Sequence, residues 1–218
     1  MQDISRFKCP FIEEIDIWSK ADAFRSKYWP ADTLPIDVES IIEKHLRLNI
    51  EPIPGLYNDC DVDAYLKGDL SGIVVDNRAF MDNKFANRLR FSYAHELGHL
   101  VLHKDFYSSF PIDTLEDFIN FTLLVPEGDY RRIEYQANEF AGRLLVPRNQ
   151  LISELSKCIE KVNESDLSKF LDKNPNAVLA SISPTLCRPF GVSTHVIELR
   201  VAREHLWPPE KGFKEGGE

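Results

Sequence analysis

The sequence predicts an α+β fold, in which a small, mainly antiparallel sheet packs against longer helices and a helical segment follows. Three observations carry this. Apolar residues recur at helical spacing over most of the 218-residue chain. β-like pieces are confined to one stretch between Leu48 and Asp76. Pro, Gly, Asn and Asp separate those pieces at the intervals a compact sheet needs. A chain this long buries roughly 70% of its unfolded surface and holds one good core. Its composition, 43% hydrophobic and 28% charged, excludes a disordered, coiled-coil or fibrous chain.

The elements follow in order. Residues 12–29 read as a helix, with Ile15, Ile17, Trp18, Ala21, Phe24 and Tyr28 covering one broad side, and Pro30 and Pro35 break it. Asp37 opens a second helix, VESIIEKHL, with Val38, Ile41, Ile42 and Leu46 at helical spacing. LNIEPI, VDAYL and SGIVVD are the strands. A long helix runs from about Lys84 to His103 and is apolar on most of its circumference, which marks it as buried. Residues 104–130 read as an irregular, acidic connection with one short apolar run, INFTLLV. A helix from about Tyr130 to Val146 stops at Pro147, a short helix begins after it, and residues 156–206 read as three small helices.

No apolar run approaches the roughly 20 residues a membrane helix needs. The start, MQDISRFKCPFIEEIDIW, lacks a basic region followed by an apolar segment, so no secretory signal is read and the cytoplasm is the expected compartment. Cys9, Cys60, Cys158 and Cys187 lie far apart and never form a CxxC pair, as expected of reduced thiols. A formal charge of -9 repels nucleic acid unless a basic patch overrides it.

The strongest signal is His95-Glu96-Leu97-Gly98-His99, an HExxH string on the buried helix. Residues i and i+4 share a helix face about 6 Å apart along the axis, so two imidazoles can converge on one ion. Glu96 is turned about 100° from His95 and flanks the ion, where it can take a proton from a metal-activated water. Two histidines do not complete such a site, which usually has three protein ligands and an open position. The next helix supplies Glu134 in IEYQANEFAGRLLVP, where residues 134, 137, 138, 141 and 145 share one face. The small residues on that face permit close helix packing, with Glu134 reaching across. Glu139 points away and reads as a surface charge. Asn138, one turn after Glu134, either orients a histidine ligand or makes a plain interhelical hydrogen bond. His103 lies about 12 Å along the axis from His95, too far to share the ion, and reads as a helix C-terminal residue favoured by the macrodipole. The set His95, His99 and Glu134 suits Zn2+, with Mn2+ also accepted.

At this point the chain resembles the ImmA/IrrE family of metallopeptidases. The resemblance rests on LPIDVESII, RLRFSYAHELGHLVLH, IEYQANEFAGRLLVP and FGVSTHVIELR, in that order, and covers roughly residues 20 to 205; the second and third segments are the specific ones. It implies a gluzincin-like peptidase domain followed by a helix-turn-helix-like segment. It also implies His95, His99 and Glu134 as ligands and Glu96 as the general base. The task it implies is cleavage of a helix-turn-helix repressor or similar regulatory protein, which derepresses phage, mobile-element, toxin-antitoxin or stress genes. Two departures stand out. The chain ends too soon after Trp207 for the extra sensory domain of some members, and Gly142 replaces the usual alanine in the third-ligand helix. The expected organisation is a metallopeptidase domain over 1–155, a small helical segment over 156–207 and a polar, disordered tail over 208–218.

In CRPFGVSTHVIELRVAREHL, Gly191 supplies a turn, Ser193 an N-cap, and Val192, Val196 and Leu199 the buried contacts. Arg200 and Arg203 are the residues that would touch DNA, but Glu198 and Glu204 alternate with them, so direct DNA binding is not expected. Three functions compete: a zinc endopeptidase acting on a protein regulator, a metal-stabilised DNA-binding regulator, and an inactive protein-binding module. Glu96 favours the first over the third, because a pure metal site needs no such carboxylate. The acidic balance favours it over the second. Tyr93, Tyr130 and His195 are oxyanion-stabilising candidates by residue type alone, and the acidic 104–130 stretch reads as a solvated loop or a lid for a basic substrate.

Overall fold

The computed structural model describes residues 7–209. α1 (Glu14–Tyr28) buries Ile17, Ala21 and Phe24 on one stripe. It ends at Trp29, since the residue before Pro30 is pushed out of the helical region. The Asp37 side chain caps the short α2 (Val38–Ser40) through the Ser40 amide at 2.9 Å. α2 then widens into a π-helical turn over Ile41–Leu46, and the left-handed Arg47 closes it.

The chain next lays down β1 (Asn49–Ile53), α3 (Leu56–Cys60), β2 (Ala64–Leu66) and β3 (Gly72–Asp76). Three strands form where three or four were expected, and the sheet is mixed rather than mainly antiparallel. Its order is β1-β3-β2. β1 pairs with β3 in parallel, from Asn49 opposite Gly72 to Ile53 opposite Asp76. β2 runs antiparallel to β3, with Ala64 opposite Val75. Strand periodicity carries no information on order or direction, so the expectation failed there. GIVVD is buried at all five positions, as a central strand covered on both faces must be. Pro52 is tolerated because β1 is an edge.

The Asp76 side chain caps α4 (Asn77–Met81). A 3-10 turn over Asn83–Phe85 then leads into α5 (Ala86–Leu102). The stretch expected to be irregular holds two helices, α6 (Lys104–Tyr107) and α7 (Leu115–Leu124). α7 starts at a capping box in which Thr114 and Asp117 satisfy each other's backbone amides. TLED is the start signal that the acidic composition masked. α8 (Glu127–Leu145) begins one turn earlier than expected, just after Pro126.

α8 is braced from behind by α1. Tyr135 donates to Glu14 at 2.8 Å, the Trp18 indole donates to Glu139 at 3.3 Å, and Arg143 clasps both oxygens of Asp22. Each partner is four residues after the last on both helices, so the three contacts form one ladder. Glu139 therefore accepts a hydrogen bond across the helix pair, where a bare surface charge was expected.

Contacts divide the chain into two compact units. The first holds most residues up to Leu144, and the second holds Leu34–Ile36 and the chain from Leu145. The second contains α9 (Arg148–Asn163), α10 (Ser168–Leu171), α11 (Pro175–Leu186) and α12 (Thr194–Arg203). α9 is one continuous helix through residue 155, where the sequence placed a boundary. Gly191 has φ 61° and Ser193 caps α12 through the Val196 amide. Val192, Ile197 and Val201 are buried, whereas Leu199 is 46% exposed and faces outward, contrary to expectation. Arg200 is buried and paired with Glu204, whose second oxygen takes Arg148 at 3.0 Å. The tail expected over 208–218 lies, from residue 210 on, outside the described residues. Among the described residues no helix is long and apolar enough to cross a membrane.

Candidate metal centre

α5 and α8 meet where neither carries bulk. A Cβ built on Gly98 would lie 3.0 Å from both the Cα and the carbonyl oxygen of Ala137, so only glycine allows this approach. The crossing sets His95 and His99, on successive turns of α5, against Glu134, one turn before Ala137 on α8. The two Nε2 atoms are 2.9 Å apart. Glu134 places Oε2 3.2 Å from His95 Nε2 and Oε1 3.5 Å from His99 Nε2. One donor atom from each of the three residues lies within 4.8 Å of the others.

The other ring nitrogens are also engaged. His95 Nδ1 is 2.9 Å from Asn138 Oδ1. An amide oxygen only accepts, so His95 Nδ1 carries a proton and Nε2 faces the cluster. This is the interhelical bond that both readings of Asn138 predict, and it falls on the His95 nitrogen that does not face Glu134. His99 is almost fully buried and its Nδ1 lies 3.1 Å from His103 Nδ1.

Burial pulls the His95 pKa down, but the Glu134 carboxylate beside Nε2 outweighs it and carries the value up to about 9. Burial, with His95 and His103 nearby, drives the His99 pKa well below its ordinary value. Glu96, only 4% exposed, is raised to about 8 by burial, against the opposing pull of the His95 charge. Two imidazole nitrogens and a carboxylate thus converge around one shared proton. A dication would satisfy all three better than the proton does. The donor set fits a borderline cation, and Glu96 sits next to it without being one of the three.

The donors open into a cleft of about 320 Å³ lined by Glu96, Phe118, Tyr130, Asp61 and Asp63 among others. Every lining residue belongs to the first compact unit. The acidic side chains differ in availability, because Asp63 is already paired with Arg88 at 2.5 Å. Of the three oxyanion candidates, Tyr130 alone lines this cleft. Tyr93 faces a different hollow beside Arg90 and Glu39, and His195 lies in the second unit. Tyr107 packs its ring 5.0 Å from that of His99, and Phe118 stacks on Tyr65 at 4.8 Å.

His103 stands at the C-terminal end of α5, as expected, and is buried there. It is 4% exposed and hydrogen-bonded on both ring nitrogens. Sequence reading missed Gln136, Tyr107 and Phe118. Only the i+8 spacing of His103 hinted at any of them.

A comparison with curated proteins finds no match. The family model of the IrrE N-terminal-like domain (Peptidase_M78) matches residues 82–202, more than half of the chain. The match takes in the helix with both histidines and the helix with Glu134. This chain therefore belongs to the IrrE N-terminal-like family of metallopeptidases.

Proposed function

We propose that the protein is a zinc-dependent endopeptidase that cuts a helix-turn-helix repressor or a similar regulatory protein. His95, His99 and Glu134 hold the ion and Glu96 is the general base. The observation that carries this reading is the meeting of three donors from two helices beside a second, buried carboxylate, at the floor of an open cleft. A purely structural site would be closed by a fourth ligand and would have no use for Glu96.

The bound cation supplies Lewis acidity toward a peptide carbonyl and an acidified water. Glu96 accepts the proton of the attacking water and returns it to the departing amine. Asn138 holds the His95 ring in its ligating tautomer. Tyr130, on the cleft wall, is the candidate whose hydroxyl would hydrogen-bond the developing oxyanion. Phe118 and Phe91 give the substrate apolar contact beside the donors.

The second unit supports a protein substrate rather than direct DNA contact. Arg200, one of its two candidate DNA-contacting arginines, is buried against Glu204 and unavailable to phosphate. A helix, a left-handed glycine and a Ser-capped helix follow one another in that unit, the order that a helix-turn-helix-like segment would have.

The test has two parts. Elemental analysis should find about one zinc per wild-type chain and little in Glu134→Ala. Incubation with helix-turn-helix repressors from the same genome should then cut one of them at a single site, and Glu96→Gln should not. Equal metal in wild type and Glu134→Ala would defeat the ligand assignment. Cleavage that survives Glu96→Gln would defeat the mechanism.

A further inference from the structure

His103 contributes nothing to the donor triad, yet both its ring nitrogens are bonded. Nδ1 is 3.1 Å from His99 Nδ1, and Nε2 is 2.8 Å from Gln136 Oε1. The direction of each bond is forced from the far end. Gln136 Nε2 lies 2.9 Å from the Pro10 carbonyl, an oxygen that can only accept. The amide is therefore held with Oε1 toward His103, where it also receives the Cys9 thiol at 3.6 Å. Flipping it would set two acceptor oxygens 2.9 Å apart.

Because Oε1 only accepts, His103 Nε2 carries the proton. The Nδ1 of the neutral ring is then a lone pair, so the bond to His99 requires His99 Nδ1 to donate. That leaves His99 Nε2 bare, facing His95 Nε2 at 2.9 Å and Glu134 Oε1 at 3.5 Å. The segment that starts the chain of bonds is itself pinned to α8. The Cys9 amide donates to Asp129 at 2.9 Å, and Arg132 donates to the Cys9 carbonyl at 2.9 Å. Asp129, Arg132 and Gln136 lie on one face of α8 at i, i+3 and i+7.

We propose that Pro10, Gln136 and His103 form a positioning relay that fixes the tautomer of His99 and aims its Nε2 lone pair at the metal. The proposal rests on the metal-centre reading. His103 is a positioning residue: it acts through His99 and touches neither substrate nor ion. The relay ties metal binding to the N-terminal segment, whose backbone carbonyl sets the amide that sets both rings. A reversed relay would put the proton on His99 Nε2, in the space where the three donors converge.

Long-range proton–nitrogen correlation spectra of histidine-labelled full-length protein read the tautomers directly. His103 should be protonated on Nε2 and His99 on Nδ1, with and without zinc. A proton on His99 Nε2 in the metal-free protein, or on His103 Nδ1 in either state, overturns the relay. The metal-free spectrum answers even if zinc does not bind, so failure of the metal-centre reading and failure of the relay are separable.

Two variants test the consequence. His103→Asn keeps an acceptor oxygen near the position of Nδ1, whereas His103→Leu keeps only volume. Measured by chelator competition, the leucine variant should bind zinc about 10- to 100-fold more weakly and the asparagine variant within about threefold of wild type. The d–d spectrum of the cobalt-loaded protein should change in the leucine variant and hold in the asparagine variant. Wild-type affinity and spectrum in both variants, or equal loss in both, overturns the proposal. If the leucine variant does not fold, the wild-type tautomers decide.

Discussion

Replacing Gly98 with alanine tests whether the helix crossing sets the metal donors. In an isolated helix the change is favourable by about 1 kcal/mol. Here the new Cβ would meet backbone atoms of Ala137 at 3.0 Å, and backbone cannot rotate away. Ordinary contact begins near 3.4 Å, so α5 and α8 must part by a few tenths of an ångström. Overpacking of this kind costs about 1–3 kcal/mol, so the metal-free protein should lose about 0–2 kcal/mol after the helix gain. The larger effect falls on the site. Glu134 moves with Ala137, and metal–ligand distances tolerate only about 0.2 Å. Zinc affinity should therefore fall at least about tenfold, which removes about 1.4 kcal/mol of zinc-linked stabilisation. Thermal unfolding in chelator and in excess zinc separates the two terms, and for a chain this size the zinc increment should shrink by about 3–6 °C. An undiminished zinc increment in Gly98→Ala would show that the crossing does not position the donors. Adding Ala137→Gly should rescue only in part, since two of the three close contacts are to Ala137 backbone atoms.

Four further outcomes are expected. With His95 raised to about 9 and Glu96 to about 8, both are protonated in the metal-free protein at pH 7, while His99 is neutral. Zinc binding expels both protons, so the logarithm of affinity should rise by about 2 per pH unit below pH 8 and flatten above pH 9. The slope should be about 1 in Glu96→Gln, and a wild-type slope of one or less in chelator competition would contradict the assignment. In the metal-free protein the same raised pKa values act against the fold as pH rises: the Glu96 contribution is lost from about pH 4.5 to 8 and that of His95 from about 6.5 to 9. Below about pH 6.5 the lowered pKa values of His99 and His103 act the other way, so denaturant midpoints measured in chelator should decline from about pH 6.5 to 9, and a steady rise over that interval would count against these assignments. Glu204→Ala removes the carboxylate that faces the buried Arg200 and should destabilise the protein by about 3–5 kcal/mol, read by denaturant unfolding. Asp22→Ala removes the acceptor of Arg143 in the ladder behind α8 and should cost about 1–3 kcal/mol in denaturant unfolding with little change in zinc affinity.

Much of the site was legible because it is local. His95, Glu96 and His99 sit on one helix, and helix geometry alone puts the two imidazoles on one face. Glu134 was readable because its neighbours at 137 and 141 are small, and small residues on one face imply a close helix partner. The strands were legible for the same reason, since each is a short β-like run between turn residues. Residues 104–130 failed because the count of acidic residues outweighed a local start signal, Thr114-x-x-Asp117, that has a direct hydrogen-bonding basis.

What the sequence alone determined is the set of groups that can bind a cation and the helices that carry them, because both follow from spacing within one element. Tertiary structure decided which strand lies in the middle of the sheet, that Glu139 answers Trp18, that Tyr130 rather than Tyr93 faces the cleft, and that His103 is buried against Gln136. The β1–β3 pairing, the Trp18–Glu139 bond and the His103–Gln136 bond join residues 23, 121 and 33 apart in the chain. No periodicity records such a partner, since only close packing in three dimensions brings it within hydrogen-bonding or van der Waals range.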